Sequence, residues 1–191
     1  LASKTVPVGF KRWLCKNHLG HCGTGDSMQK RQLQDYDECP ICGIGPEKIL
    51  HVLRCPDERA RQRWQFNLSL IHQWMLDNEG MPEMVRAIMV RLHHWGHDPV
   101  SLTPIRTKSV AVLHAIHAQD AIGWYQFLLG RIGRTFAATQ HAYLQSLFKK
   151  RTGLRWVQAL INKLWDVSWG MWAHRNGIKH NTITRAEQRE I

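Results

Sequence analysis

Apolar residues recur at helical spacing along most of the chain, and no stretch alternates polar and apolar positions as a half-buried strand would. The clearest stripe consists of Trp64, Leu68, Ile71 and Met75, separated by four, three and four residues. Asp57, just before it, is a suitable N-cap for a long helix. The pattern predicts an all-α fold, an irregular helical domain.

Further helix boundaries follow from caps and glycines. Asp26-Ser27 is expected to cap a short helix, and residues 110–129 are expected to form one continuous run. A helix over residues 136–148 should follow. The last helix should start near Gly153, bury a stripe that begins at Leu154, and end at Asn176-Gly177, a common C-cap pair.

Four potential metal ligands lie close together in the first third of the chain. Cys39-Pro-Ile-Cys42 is followed after eight residues by His51 and after three more by Cys55. The Cys-x-x-Cys turn lets two thiolates converge on one ion, and a His and a Cys four apart share one face of a helix. Three thiolates and one imidazole form a closed tetrahedral set. The spacing predicts one structural Zn²⁺ in a small Cys₃His, zinc-knuckle-like module; the alternative is buried thiols beside an unrelated helix.

A second cysteine and histidine group precedes this module. Cys15, His18, His21 and Cys22 lie within eight residues and include a spacing that places side chains on one helical face. They lack the Cys-x-x-Cys turn that makes metal motifs specific. A half-buried helix with two small apolar thiols is the simpler interpretation.

Composition narrows the class of protein. The nine tryptophans lie inside the periodic segments, which predicts that they belong to the core. No apolar run is long enough to span a bilayer, and no secretory signal is visible, so no membrane partner is expected. Cysteines spaced for metal rather than for disulfides indicate an intracellular protein of the nucleus or cytoplasm. Because the chain opens on Leu rather than Met, it is expected to be a fragment.

The net charge is +11, and it is unevenly distributed along the chain. Residues 1–99 contain 13 Lys and Arg against 11 Asp and Glu, whereas residues 100–191 contain 13 against 4. Such an excess attracts nucleic acid, although it also simply keeps a protein in solution. The side chains expected to contact phosphates are Arg131, Arg134, Lys149, Lys150, Arg151 and Arg155. The break between Pro99 and Pro104 suggests two domains, residues 1–98 and 99–191, packed as one unit.

No arrangement of residues is typical of an enzyme active site or of a small-molecule site. Asp120 and Asp166 are too isolated in the sequence for a two-metal nuclease centre. A nuclease that uses His93 and His97 is the least favoured alternative, because no pair of acidic residues accompanies those histidines. The chain is therefore expected not to be an enzyme.

The sequence resembles a known family at three places. The run Cys39-Pro-Ile-Cys42…Glu47…His51-Val-Leu-Arg-Cys55…Trp64 is similar to the zinc-binding region downstream of the polymerase in reverse transcriptases of non-LTR retrotransposons. Phe10-Lys-Arg-Trp13-Leu resembles the short helix that precedes that region. Trp169-Gly-Met-Trp172-Ala-His-Arg175-Asn resembles a helix near the end of many such proteins.

The resemblance implies that Cys39, Cys42, His51 and Cys55 are the zinc ligands. It also implies a zinc-stabilised region that binds RNA or DNA beside an attached or associated reverse transcriptase, as the tail of a mobile-element protein or a remnant of one. The polymerase palm with its paired aspartates is absent from these residues. A helical protein–protein interaction module, with the zinc purely structural, is the alternative.

Overall fold

The structure is a computed structural model that describes residues 8–97 and 104–180. Those residues form nine helices and no strand, which confirms the predicted all-α fold. The helices are α1 (Val8–His18), α2 (Gly25–Lys30), α3 (Ile49–Leu53), α4 (Glu58–Asp77), α5 (Pro82–His97), α6 (Val110–Ile122), α7 (Trp124–Leu128), α8 (Arg134–Ser146) and α9 (Gly153–Lys179). In the described ranges, none of these helices is both long enough and apolar enough to cross a membrane.

The chain falls into two compact units. The first comprises the residues up to Arg63 together with those from Trp169 onward, and the second comprises Trp64–Ser168. Both boundaries lie inside helices, one in α4 and the other in α9. The predicted division between residues 98 and 99 lies outside the described residues and stays a prediction.

The core of the second unit contains the predicted stripe of α4. Trp64, Leu68, Ile71 and Met75 are all buried, as the four-three-four spacing predicted. In the same unit α6 packs against α5, α7 and α8. Phe127 and Phe136 meet there with ring centroids 5.8 Å apart.

A separate aromatic cluster forms the core of the first unit. Trp13 packs against Phe10 and Trp169 at centroid distances of 5.9 and 5.3 Å. Val52, from the predicted metal module, and Trp172 belong to the same cluster. Five of the nine tryptophans in the chain are buried and the other four are partly buried, so the prediction that tryptophans belong to the core is confirmed for five of them.

Two predicted helix boundaries in the first two-thirds of the chain are wrong. The N-cap of α2 is Thr24 rather than Asp26-Ser27, because the Thr24 hydroxyl accepts a hydrogen bond from the Ser27 amide at 3.4 Å. The run over residues 110–129 is not continuous. It breaks at Gly123, whose φ of +96° separates α6 from α7.

The last helix also differs from its prediction. It continues through Asn176-Gly177 and ends at Lys179. Leu154, at its start, is exposed rather than buried, and the buried stripe begins at Trp156 and Val157. Gly177 is tolerated inside this helix because Arg175, two positions earlier, is held by a tertiary contact with Glu47.

Candidate metal centre

The first two predicted ligands lie on a tight turn. The Cys39 amide donates a hydrogen bond to the Ile44 carbonyl at 3.1 Å, and the Gly43 amide donates to the Cys39 carbonyl at 2.8 Å. Gly43 has a φ of +73°, which a residue with a side chain rarely adopts. The Ile41 amide points at the Cys39 sulfur, 3.4 Å away. The turn therefore presents both sulfurs on one side and directs a backbone dipole at one of them.

The second pair of ligands comes from α3 and the residues just after it. His51 lies within α3, whereas Cys55 lies beyond its end, which differs from the expectation that the two share one face of a helix. The helix ends early because Arg54 leaves the α-helical region at φ −130° and ψ 28°. His51 in the shorter helix and Cys55 just beyond its end still both lie close to the cysteine turn.

The four side chains meet at one point. The ligand atoms of Cys39, Cys42, His51 and Cys55 all lie within 4.8 Å of one another. The Cys39 and Cys55 sulfurs are 3.9 Å apart, and the Cys42 sulfur is 3.2 Å from Nε2 of His51. Ideal tetrahedral zinc bonds would place two sulfurs about 3.8 Å apart and a sulfur and a nitrogen about 3.5 Å apart. The four residues are thus close enough to bind a single metal ion.

The pKa values of the four side chains indicate how a bound cation would change their protonation. A hydrogen bond from the Cys55 thiol lowers the pKa of Cys39 to about 3, and the same contact, together with burial, raises the pKa of Cys55. Burial raises the pKa of Cys42, and interaction with the Cys39 thiolate raises the pKa of His51. Three negative sulfurs at these distances repel one another, which opposes the ionisation of Cys42 and Cys55 beside the Cys39 thiolate. A divalent cation would stabilise all three as thiolates.

A buried ion pair, missed by the sequence analysis, ties this module to the last helix. Glu47 and Arg175 are 0% and 2% exposed. Nε of Arg175 donates to Oε1 of Glu47 at 2.8 Å, and its Nη2 pairs with Oε2, which also accepts from the Gly25 amide at 2.7 Å. The Arg175 guanidinium lies 5.2 Å from the centre of the Trp172 ring.

A sequence signal for this pair did exist. Arg175 continues the apolar stripe of Leu164, Ser168 and Trp172, so the helical spacing alone places it among buried residues. A buried arginine requires an acidic partner. The sequence does not reveal which acidic residue that is, because Glu47 lies 128 positions earlier.

The second cysteine and histidine group, Cys15, His18, His21 and Cys22, does not come together as a metal site. Cys15 is exposed, whereas Cys22 is buried in the aromatic core, where desolvation raises its pKa to about 11. His18 bonds to the Leu14 carbonyl, and His21 contacts Arg31. Within the part of the chain that the structure describes, Cys39, Cys42, His51 and Cys55 form the only cluster of three or more potential metal ligands.

Three of the six predicted phosphate contacts are engaged with other side chains of the second unit. Lys149 forms an ion pair with Glu79. Arg151 donates to Oδ1 of Asn78 at 3.2 Å, and Arg131 contacts the Gln126 side chain. Lys149 and Arg151 therefore also fix the turn between α8 and α9 onto the turn that follows α4.

The other three predicted contacts are more available. Arg134, Lys150 and Arg155 are exposed and form no ion pair with any of the described residues. Arg134 begins α8 and Lys150 follows its end, so their backbones are about 20 Å apart. The structure does not gather all six into one patch, and their binding of nucleic acid stays a prediction.

His93, from the least favoured alternative, belongs to no cluster of three or more potential metal ligands among the described residues. His93 and His94 line a groove beside α5, and the side chain of His97 lies outside the described residues. Asp120 forms a bidentate ion pair with Arg91 at 2.8 and 2.9 Å. Its carboxylate is therefore committed to a structural contact.

Comparison with protein families, with curated proteins and with solved structures gives no match to this chain. The functional assignment therefore depends on the residues of the chain itself. The closed Cys₃His cluster and its buried link to α9 are the strongest of these features.

Proposed function

We propose that the chain is a zinc-stabilised nucleic-acid-binding region, the C-terminal part of a retrotransposon reverse transcriptase or a remnant of one. The observation that carries the proposal is that all three segments of the resemblance, apart from Trp64, occur in one compact unit. Phe10 and Trp13 pack against Trp169, and Glu47 pairs with Arg175.

The donor set favours zinc over other metals. Three thiolates and one imidazole whose ligand atoms lie within 4.8 Å of one another match structural zinc, whereas Ca²⁺ and Mg²⁺ require oxygen ligands. Cys39 and Cys55 are buried, and four protein ligands leave no open coordination position for a substrate. The ion would thus hold the turn and α3 together rather than perform chemistry.

Zinc binding at pH 7 is expected to release at least two protons. Cys42 and Cys55 both have raised pKa values in the metal-free cluster and bind the ion only as thiolates. Affinity should accordingly fall as the pH is lowered, because protons then compete more strongly for the ligands. Calorimetric zinc titrations in two buffers of different ionisation enthalpy measure the number released, and a value of one or less would contradict the Cys₃His ligand set.

Nucleic-acid binding is expected to depend on exposed positive charge in the second unit. The triple substitution Arg134→Gln, Lys150→Gln and Arg155→Gln should weaken binding to all sequences alike. It should also reduce the magnitude of the negative slope of log K against log salt by about 2, since each lost contact with a single strand contributes roughly 0.7. Fluorescence anisotropy across a salt series measures both effects.

A charge-matched variant controls for net charge. Lys11, Arg12 and Lys16 are exposed on α1, and replacing them with Gln removes the same three positive charges. If both variants lose affinity equally, the effect is one of overall charge and the assignment to Arg134, Lys150 and Arg155 is wrong.

One observation favours a second candidate function, a helical protein-interaction module. A groove of about 520 Å³ runs beside α5, with Leu76, Val85 and Met89 in its apolar wall and His72 and Arg86 among its lining residues. An apolar groove with a cationic rim suits a peptide. This alternative predicts that the zinc-loaded protein does not bind nucleic acid in the anisotropy experiment above.

A further inference from the structure

The turn between α8 and α9 presents an aromatic ring to solvent. The sequence pattern placed Leu147 and Phe148 inside a helix, but α8 ends at Ser146. The Phe148 side chain is 96% exposed, more than any other exposed large hydrophobic side chain among the described residues. No packing in the described structure therefore accounts for the ring.

The backbone conformation at position 148 does not favour phenylalanine either. The Lys149 amide donates to the Leu144 carbonyl at 3.0 Å, and the Phe148 amide donates to the Gln145 carbonyl at 2.9 Å. These two bonds form a Schellman motif, whose C′ residue is left-handed and usually glycine. Phe148 occupies that position with a φ of +55°. A bulky residue is strained there, so neither local conformation nor burial favours phenylalanine.

The turn itself is fixed in place. Lys149 pairs with Glu79, and Arg151 donates to Asn78. At Gly153 an added Cβ would lie only 2.0 Å from a backbone oxygen of α8, so the start of α9 lies directly against that helix. The ring is consequently held out on a rigid support, which limits the conformational entropy lost on binding a ligand.

The surroundings of the ring identify a ligand chemistry. Lys150 follows Phe148 by two residues, and Arg155 is close in sequence; both are exposed and neither forms an ion pair with a described residue. An aromatic face combined with free cations is the arrangement that binds unpaired bases and the phosphates between them. Bases within a duplex are already stacked and would not reach the ring. Leu147 and Leu154, which are exposed and close to Phe148 in the sequence, add apolar surface to the ring, but a membrane anchor generally requires a larger apolar face than these residues provide.

We propose that Phe148 stacks on an unpaired base of single-stranded nucleic acid while Lys150 contacts the adjoining phosphate. The inference rests on the proposed function and adds to it a substrate class, single strands, and a specific contact. The stacked ring supplies affinity that is tolerant of sequence, because every base has an aromatic face.

The test uses variants of Phe148 in the full chain, titrated into fluorescent oligothymidylate, oligouridylate and a DNA duplex. Phe148→Gly removes the ring and also relieves the left-handed strain, so it should melt at or above the wild-type temperature while binding single strands about tenfold or more weakly. Phe148→Trp should bind like wild type. Phe148→Leu, which keeps an apolar side chain without an aromatic face, should bind as weakly as Phe148→Gly.

Gln32 provides a matched control. It occupies the equivalent left-handed position after α2, with a φ of 58° and an exposed side chain. Gln32→Gly should relieve the same backbone strain without changing affinity for any oligonucleotide. Duplex affinity should change little in every variant, because no unpaired base is available.

The possible outcomes separate the two proposals. Wild-type affinity of Phe148→Gly for single strands, with salt-dependent binding retained, overturns the stacking contact and leaves nucleic-acid binding intact. Wild-type affinity of Phe148→Leu also overturns stacking. Failure of the wild-type protein to bind any oligonucleotide overturns the proposed function itself. Binding of wild type, but not Phe148→Gly, to phosphatidylserine-containing vesicles in place of oligonucleotides would overturn the inference in favour of a membrane contact.

Discussion

Replacing Cys55 with Ser is expected to abolish zinc binding and to unfold the region around the cluster. α3 has only five residues, too few to be stable alone in water, and the turn at Cys39 has little regular structure beside it. Structural zinc contributes about 10–16 kcal/mol of apparent binding free energy in small zinc domains. Without the ion, residues 37–55 should lose their protection against amide hydrogen exchange.

Hydrogen-exchange mass spectrometry of the variant and of chelator-treated wild type measures this effect. Cys15→Ser is the matched control, because Cys15 is exposed and lies outside the cluster. Its exchange should equal that of wild type. Undiminished protection of residues 37–55 after complete removal of zinc would show that packing alone maintains the module.

Glu47→Gln is expected to lower the free energy of unfolding by about 3–5 kcal/mol, because it leaves the buried guanidinium of Arg175 without a counter-charge. The carboxylate of Glu47 also accepts a hydrogen bond from the Gly25 amide. Urea unfolding with an unchanged m-value measures the loss. The double variant Glu47→Leu, Arg175→Met should lose less than the sum of the two single substitutions, because it removes both charges together.

Glu38→Gln is the control for this prediction. Glu38 is exposed and lies beside Cys39, so its replacement removes the same charge near the same module. Its effect should be within about 0.5 kcal/mol. A loss below about 1 kcal/mol for Glu47→Gln would mean that the ion pair is dispensable and that the packing of Trp172 and its neighbours holds α9 in place.

The sequence predicted the features that depend on local spacing. The four-three-four stripe of α4 is buried, as the geometry of one helix requires. The four Cys₃His ligands converge, as the spacing typical of zinc sites predicts, although Cys55 lies beyond the end of α3. Glu47 and Arg175 could not be paired from the sequence, since nothing local connects residues 128 positions apart.

Helix ends were predicted less well, because backbone conformation and tertiary contacts decide them. Phe148 fits the apolar period of α8, yet two capping hydrogen bonds end the helix before it. α9 continues past Asn176-Gly177, where Arg175 is held in a buried ion pair.

The charges of the two halves of the sequence also do not correspond to the charges of the two compact units. Residues 64–168 contain 11 Lys and Arg against 6 Asp and Glu, and the remaining residues contain 15 against 9. The two compact units therefore carry similar net charges, +5 and +6, although the two halves of the sequence do not. Predicting which cations are available required the partners of Lys149 and Arg151, which only the structure shows.

The central claim is that Cys39, Cys42, His51 and Cys55 hold one structural zinc ion. Native mass spectrometry of the reduced protein tests it most directly, with wild type measured beside the double variant Cys42→Ser, His51→Ala. We predict one zinc per wild-type chain and none in the double variant. A folded wild-type protein without zinc, or a double variant that still carries it, would contradict the claim.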